Sequence, residues 1–236
     1  PQGGRQKMAK VTLVLMFVSA LFVSLVQAQD NDTPINTDTT GLEKVKRAKF
    51  RETYVNTGVD FSQYNKLYLG DAYFDYRDVG PAERTRSSAR STSNKGVFGI
   101  AEEDRIKFQE IVGEAFTEQL GKGKNFTIVD SIDENTMIMR GAVVDIISRV
   151  PPEFVGRSEV YLATVGEATL VLEFLDGKTG EVLAKVSERG RIGSPNDRID
   201  RFSMPVNRAT ITGDIRRWAN SAAIRLRKEL DSTLAD

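Results

Sequence analysis

The chain contains neither cysteine nor histidine. Without cysteine there is no disulfide and no thiol nucleophile, so packing alone must stabilise the fold. Without histidine there is no imidazole general base and no Ser-His-Asp triad. Zinc, copper and haem sites that depend on imidazole or thiolate are excluded with them, leaving a hard ion held by oxygens as the one metal chemistry open. It has a single tryptophan and seven prolines. Internal repeats are missing too.

One long apolar run is present. Val11 to Val26 follows Arg5, Lys7 and Lys10 and closes on Val26-Gln27-Ala28, the layout of a secretory signal with cleavage between Ala28 and Gln29. A spanning helix needs about 20 apolar residues, and this run is shorter and holds Ser19 and Ser24. Cleavage is therefore expected over retention as an anchor. Met8-Ala9-Lys10 makes a conventional start, with residues 1–7 upstream of it. The first 28 residues carry three basic and no acidic side chains, so the 208 that follow hold 30 basic against 33 acidic. Such a near-balanced domain lacks the strong positive field of a nucleic-acid binder.

Residues 29–54 precede the ordered domain, and Gln29 to about Lys44 is polar, with Asp30, Asp32, Asp38 and four threonines. They read as a flexible tether. Asp30-Asn31-Asp32 lacks the loop glycine and closing glutamate of a calcium loop. A single globular domain is expected over 55–236.

Its elements follow from periodicity. Leu67-Tyr68-Leu69 and Ala72-Tyr73-Phe74 read as a strand with a bulge at Gly70. Phe108, Ile111, Val112, Ala115, Phe116 and Leu120 lie at helical spacing, Glu102, Glu103 and Asp104 favour the helix dipole, and Gly121 and Gly123 supply a stop. Phe126–Val129 and Met137–Ile147 read as strands, the second apolar on both faces like a central strand. Gly166–Leu175 and Glu181–Ser187 form a hairpin around Asp176-Gly177-Lys178-Thr179-Gly180, with Ala168, Leu170, Leu172 and Phe174 on one face. Ile215, Trp218, Ala219, Ala222, Leu226 and Leu230 mark a final helix, with Arg216, Arg225, Arg227 and Lys228 more exposed. The expected fold is α/β in the α+β sense. It is a two-layer domain whose mixed or antiparallel sheet of about five strands carries both helices on one face.

Three stretches together carry a resemblance: Thr57-Gly58-Val59-Asp60-Phe61-Ser62-Gln63-Tyr64, then Gly166–Leu170 with Leu175–Ala184, then Trp218-Ala219 with Arg225–Leu230. Over about Asn56 to Leu234 the chain resembles an uncharacterised bacterial envelope lipoprotein family, domain of unknown function 3313. The resemblance implies a periplasmic or outer-membrane setting and no established activity. Members commonly carry a lipid-modified cysteine after the signal. This chain has none, so no lipid anchor is expected.

Several constellations have two readings each. Arg84, Arg86, Arg90 and Lys95 in a Ser-rich stretch could contact an anion or simply be solvated. Gly121-Lys122-Gly123-Lys124 follows a helix instead of preceding one, which makes it a cap and not a phosphate loop. Glu188, Asp197 and Asp200 with Arg189, Arg191, Arg198 and Arg201 could supply paired carboxylates for glycoside hydrolysis or surface ion pairs. Asp145, in an apolar strand, is either a buried acid or a carboxylate facing solvent or an arginine. Trp218 reads as core packing over a ligand platform.

Three irregular stretches, Arg77–Gly99, Val150–Ala163 and Ile192–Thr212, are long for a compact domain. In the second, Phe154 and Tyr161, with Val150, Val155 and Leu162, are candidate partner anchors beside Pro151-Pro152, or else tuck onto the core. The functional expectation is an exported envelope protein, periplasmic or outer-membrane associated. It would act without a cofactor as a non-catalytic binding or assembly module for another envelope protein or a second copy of itself. The alternative is a periplasmic hydrolase using carboxylates.

Overall fold

The computed structural model describes residues 35, 38–79, 96–151, 161–162, 164–193 and 204–235. The strands are β1 (Glu43–Lys44), β2 (Glu52–Val55), β3 (Lys66–Tyr76), β4 (Thr127–Val129), β5 (Thr136–Ser148), β6 (Tyr161–Leu162), β7 (Thr164–Asp176), β8 (Val182–Gly193) and β9 (Met204–Pro205); the helices are α1 (Glu102–Leu120) and α2 (Arg208–Thr233). Seven strands form one mixed sheet in the order β1-β2-β8-β7-β5-β3-β4, and β6 pairs with β9 apart from it. β3 runs parallel to β4 and β5; the other pairings are antiparallel. The fold is α+β as expected, with seven strands in the main sheet instead of about five.

The difference lies at the start. The sequence places order from about Val55, yet β1 and β2 lie within the stretch read as a tether, and Phe50 between them is only 3% exposed in the core. One aromatic anchor and two short strands leave no periodicity to read. Arg225 holds the segment from the helix side, its guanidinium 4.8 Å over the Phe50 ring.

α1 buries the six side chains that its spacing nominates. Its C-terminus stops at Gly121, whose N–H donates to the Thr117 carbonyl at 3.0 Å, while the Gly123 N–H donates to Leu120 at 2.9 Å. The glycine-lysine pair is thus a helix cap. α2 starts inside the stretch read as irregular to Thr212, because Asn207 and Thr210 form a reciprocal capping box that satisfies two backbone donors at the helix start. Between the helices, Phe108 stacks on Trp218 at 6.2 Å and meets Phe74 edge-on at 6.1 Å. This cluster joins both helices to β3. Gly190 of β8 underlies Trp218: a Cβ there would sit 2.7 Å from the indole Nε1.

The bulge expected at Gly70 is present, as a register shift between Leu69 and Ala72. β5 is central, flanked by β3 and β7. The hairpin is longer than read, since β8 continues to Gly193. The irregular stretches are also tied down at their described ends. Phe98 bridges to Ser148, Val79 and Val97 pack with Ile147, and β6–β9 joins the second stretch to the third.

Candidate functional site

Strand alternation gives the sheet two unlike faces. In β7, Ala168, Leu170, Leu172 and Phe174 are buried in the core shared with the helices. Glu167, Thr169, Val171 and Glu173 point the other way, in register with Arg191, Arg189, Ser187 and Lys185 of β8. That outer face carries charge.

Near the end of β5 the β5–β7 register shifts between Val144 and Ile147. Asp145 falls in this bulge with φ +54°, a left-handed conformation that aspartate tolerates better than most residues. Arg77, just past β3, grips its carboxylate in a fork, Nε to Oδ1 at 2.6 Å and Nη2 to Oδ2 at 2.8 Å. Arg189 of β8 donates to the same Oδ2 and, through Nη2, to Glu167 at 3.0 Å. Arg149, just past β5, donates to the other Glu167 oxygen at 2.8 Å and to the Gly96 carbonyl at 3.3 Å. Arg77, Asp145, Arg189, Glu167 and Arg149 therefore form one continuous chain of alternating charge across four strand ends.

The electrostatics follow. The Arg77 fork, helped by Arg189, holds the Asp145 carboxyl below the usual carboxylate range, and Arg149 does the same for Glu167. Both acids push Arg189 upward, Asp145 most. A general acid needs a pKa raised towards the working pH; these two move the opposite way. Of the two readings of Asp145, the arginine-paired one is what the fold contains.

A second ladder lies further along the same face. Arg140, Glu173 and Lys185 are direct cross-strand neighbours, with Arg140–Glu173 at 3.6 Å and Glu173–Lys185 at 3.3 Å. The Lys185 ammonium also donates to the Asp38 carbonyl at 2.5 Å, fastening the segment before β1. Beside it a cleft of about 290 Å³ is lined by Asp38, Thr40, Leu42, Asn56, Glu181 and Lys185.

The other sequence candidates scatter. Glu188 and Arg189 lie in β8 on opposite faces. Glu188 takes both oxygens to Arg225 Nη1 at 2.8 Å on the helix side, so Arg225 is half-buried and not simply exposed. Phe154, Arg84, Arg86, Arg90, Asp197 and Asp200, with Ala28 and Gln29 at the expected cleavage point, lie outside the described residues. For Tyr161 only the backbone is described, in β6 paired with Pro205. Among the described residues no helix is long and apolar enough to cross a membrane, and no cluster of acidic residues could hold a metal ion.

Sequence reasoning missed the charge chain, because its members are spread from residue 77 to 189 and meet only through strand order. Two stretches singled out in the sequence, Thr57–Tyr64 and Leu175–Ala184, do touch. The Tyr64 hydroxyl donates to Asp176 Oδ2 at 2.5 Å, while Asp176 Oδ1 accepts the Lys178 and Thr179 N–H groups of the hairpin turn. These bonds, Tyr64 first, lower the Asp176 carboxyl to about 2. Burial and the carboxylate raise the Tyr64 hydroxyl.

No family model and no curated protein sequence matches the chain. Solved structures are similar at low identity. A Helicobacter pylori protein described as a homologue of the neuraminyllactose-binding hemagglutinin is 13% identical, covering 72% of this chain and 85% of its own, with a TM-score of 0.37. A Xanthomonas campestris protein of the family DUF330 is 13% identical, over 73% and 85%, with a TM-score of 0.35. The PelC dodecamer of Paraburkholderia phytofirmans is 8% identical, over 70% and 88%, with a TM-score of 0.30.

Proposed function

We propose that this chain is an exported bacterial envelope protein, of the kind its resemblance to domain of unknown function 3313 implies, that acts as a non-catalytic binding or assembly module. The observation that carries the reading is the charge chain on the outer face. Its carboxylates are held ionised by arginines, which suits electrostatic complementarity with another surface and not proton transfer. Interlocked arginines also keep their side chains ordered before any partner arrives, which lowers the entropy lost on binding. The absence of histidine and cysteine from the whole sequence supports the same reading.

Affinity capture from envelope extracts with the full chain tests it, comparing wild type with Arg189→Ala, which severs the charge chain, and with Phe154→Ala/Tyr161→Ala. The expected result is a specific partner, or the protein itself, retained by wild type and depleted by at least one variant whose melting temperature is unchanged. Retention of nothing by wild type refutes the reading. Export is tested by N-terminal sequencing of envelope material: a start near Gln29 is expected, and an intact Met8 terminus in washed membranes contradicts it.

A further inference from the structure

Among the described residues, one edge of the main sheet is left open. β4 pairs with β3 only from Lys66 to Tyr68, yet β3 runs on to Tyr76. Among the described residues, no strand pairs with that side of β3 beyond Tyr68. An open edge presents alternate backbone N–H and C=O groups ready to pair with another chain. Asp71, Ala72, Tyr73 and Asp75 are all exposed, Tyr73 at 41%. The stretch is nonetheless held firmly from behind. β5 pairs with its inner side, Phe74 meets Phe108 edge-on, and the Tyr76 hydroxyl donates to the Arg105 carbonyl at 3.1 Å.

The charge on this edge selects the occupant. Between Lys66 and Arg77, β3 carries Asp71 and Asp75 and no basic residue. Arg77 beyond them is committed in its fork to Asp145. The Tyr76–Arg105 contact brings the start of α1 alongside, with Glu102, Glu103 and Asp104 in its first turn. Arg105, stacked over the Tyr76 ring at 4.8 Å and paired with Glu102 at 3.8 Å, and Arg208, paired with Glu103 at 3.4 Å, are basic groups there. A second copy fits poorly: the antiparallel register that pairs all of Gly70–Tyr76 with itself sets Asp71 opposite Asp75 at both ends, and like charges directly opposite destabilise a pair. An extended segment bearing lysine or arginine meets the backbone groups and the carboxylates together. We infer that the open edge of β3 from Gly70 to Tyr76 binds an extended basic segment of a partner protein by strand addition. The inference rests on the binding-module reading and names its contact surface and partner chemistry.

The test uses the full chain and three seven-residue peptides: Thr-Lys-Val-Lys-Val-Lys-Thr, its glutamate counterpart, and the lysine peptide with alternate backbone amides N-methylated. The lysine peptide should slow hydrogen exchange of amides within 70–76 and bind at least about tenfold more tightly than either other peptide, a difference that one or two backbone hydrogen bonds supply against the N-methylated peptide and like-charge repulsion supplies against the glutamate peptide. Asp71→Lys/Asp75→Lys, with both sites exposed, should keep the melting temperature and switch the preference to the glutamate peptide. Equal binding of the N-methylated peptide, protection elsewhere, or no binding at millimolar peptide overturns strand addition at this edge. Self-association of the wild type that is altered by the double variant also overturns it, by making a second copy the occupant. Envelope capture separates the two levels. A partner retained equally by wild type and the double variant refutes the edge and leaves the binding-module reading standing, whereas retention of nothing by wild type refutes both.

Discussion

Replacing Asp145 separates two energies that the bulge combines. The carboxylate holds Arg77 and Arg189, and the backbone is left-handed. Its side chain is 34% exposed, with the two arginines at 39% and 42%, so solvent screens the pairs. Exposed pairs contribute about 0.2 to 1 kcal/mol each, more when forked. Asp145→Asn keeps a residue that accepts positive φ and loses the charge, so it should cost about 1 kcal/mol. Asp145→Ala loses the charge and also places an ordinary Cβ in the left-handed region, at about 1 to 2 kcal/mol more. Asp145→Gly loses the charge but relieves that strain, and should fall beside Asn. In melting temperature, each kcal/mol is about 2 to 4 °C for a domain of this size. Urea unfolding at low and high salt is the assay. The Asn cost should shrink at about 1 M salt, where the screening length falls to about 3 Å, while the gap between Ala and Gly should not. Equal costs for Ala and Asn would refute the backbone argument, and an Asn variant as stable as wild type at low salt would refute the energetic role of the charge chain. The carboxyl titrates below its unfolded value, so its contribution is present above about pH 4 and disappears as the pH falls through the lowered native value.

Three further outcomes are expected. Phe116→Ala should lower stability by about 3 to 5 kcal/mol, because Phe116 is 7% exposed in the shared core; an unchanged urea midpoint would contradict the packing. Gly190→Ala should cost about 1 to 3 kcal/mol by overpacking against Trp218, with a shift in tryptophan fluorescence, and an unperturbed indole would show that the contact is slack. Tyr64→Phe should remove a pH dependence seen in wild type. With Asp176 lowered to about 2 and Tyr64 raised, the bond contributes between about pH 4 and 10. That contribution is lost as acid protonates Asp176 and as alkali ionises Tyr64, so parallel stability curves for the two proteins at both extremes would refute it.

What could be read in advance depended on how local the cause was. The α1 stripe, the Gly121 stop, the bulge at Gly70 and the Asp176 turn each rest on residues within a few positions of one another, where spacing and backbone preference act directly. Residues 43–55 escaped notice because their anchoring comes from Phe50 packing under Arg225, a contact about 175 positions away. The start of α2 escaped it because Asn207 and Thr210 make an unusual capping box without a glutamate or glutamine. For the charged residues, composition narrowed the chemistry but did not assign partners. Glu188 and Arg189 are adjacent in sequence, yet strand alternation sends one to Arg225 on the helix side and the other to Asp145 and Glu167 on the outer face.

By itself the sequence determined the class of chemistry and the kind of fold. With no histidine or cysteine, imidazole and thiol mechanisms were closed, and the 3.6- and 2-residue periodicities specified helices and strands that must pack in two layers. The tertiary structure decided what the charges do. Strand order and one bulge bring residues 77, 145, 149, 167 and 189 into a single chain, and a β4 only three residues long leaves the acidic half of β3 paired, among the described residues, with β5 alone. Both features depend on pairings between distant segments, which set register and strand length and leave no mark on local periodicity.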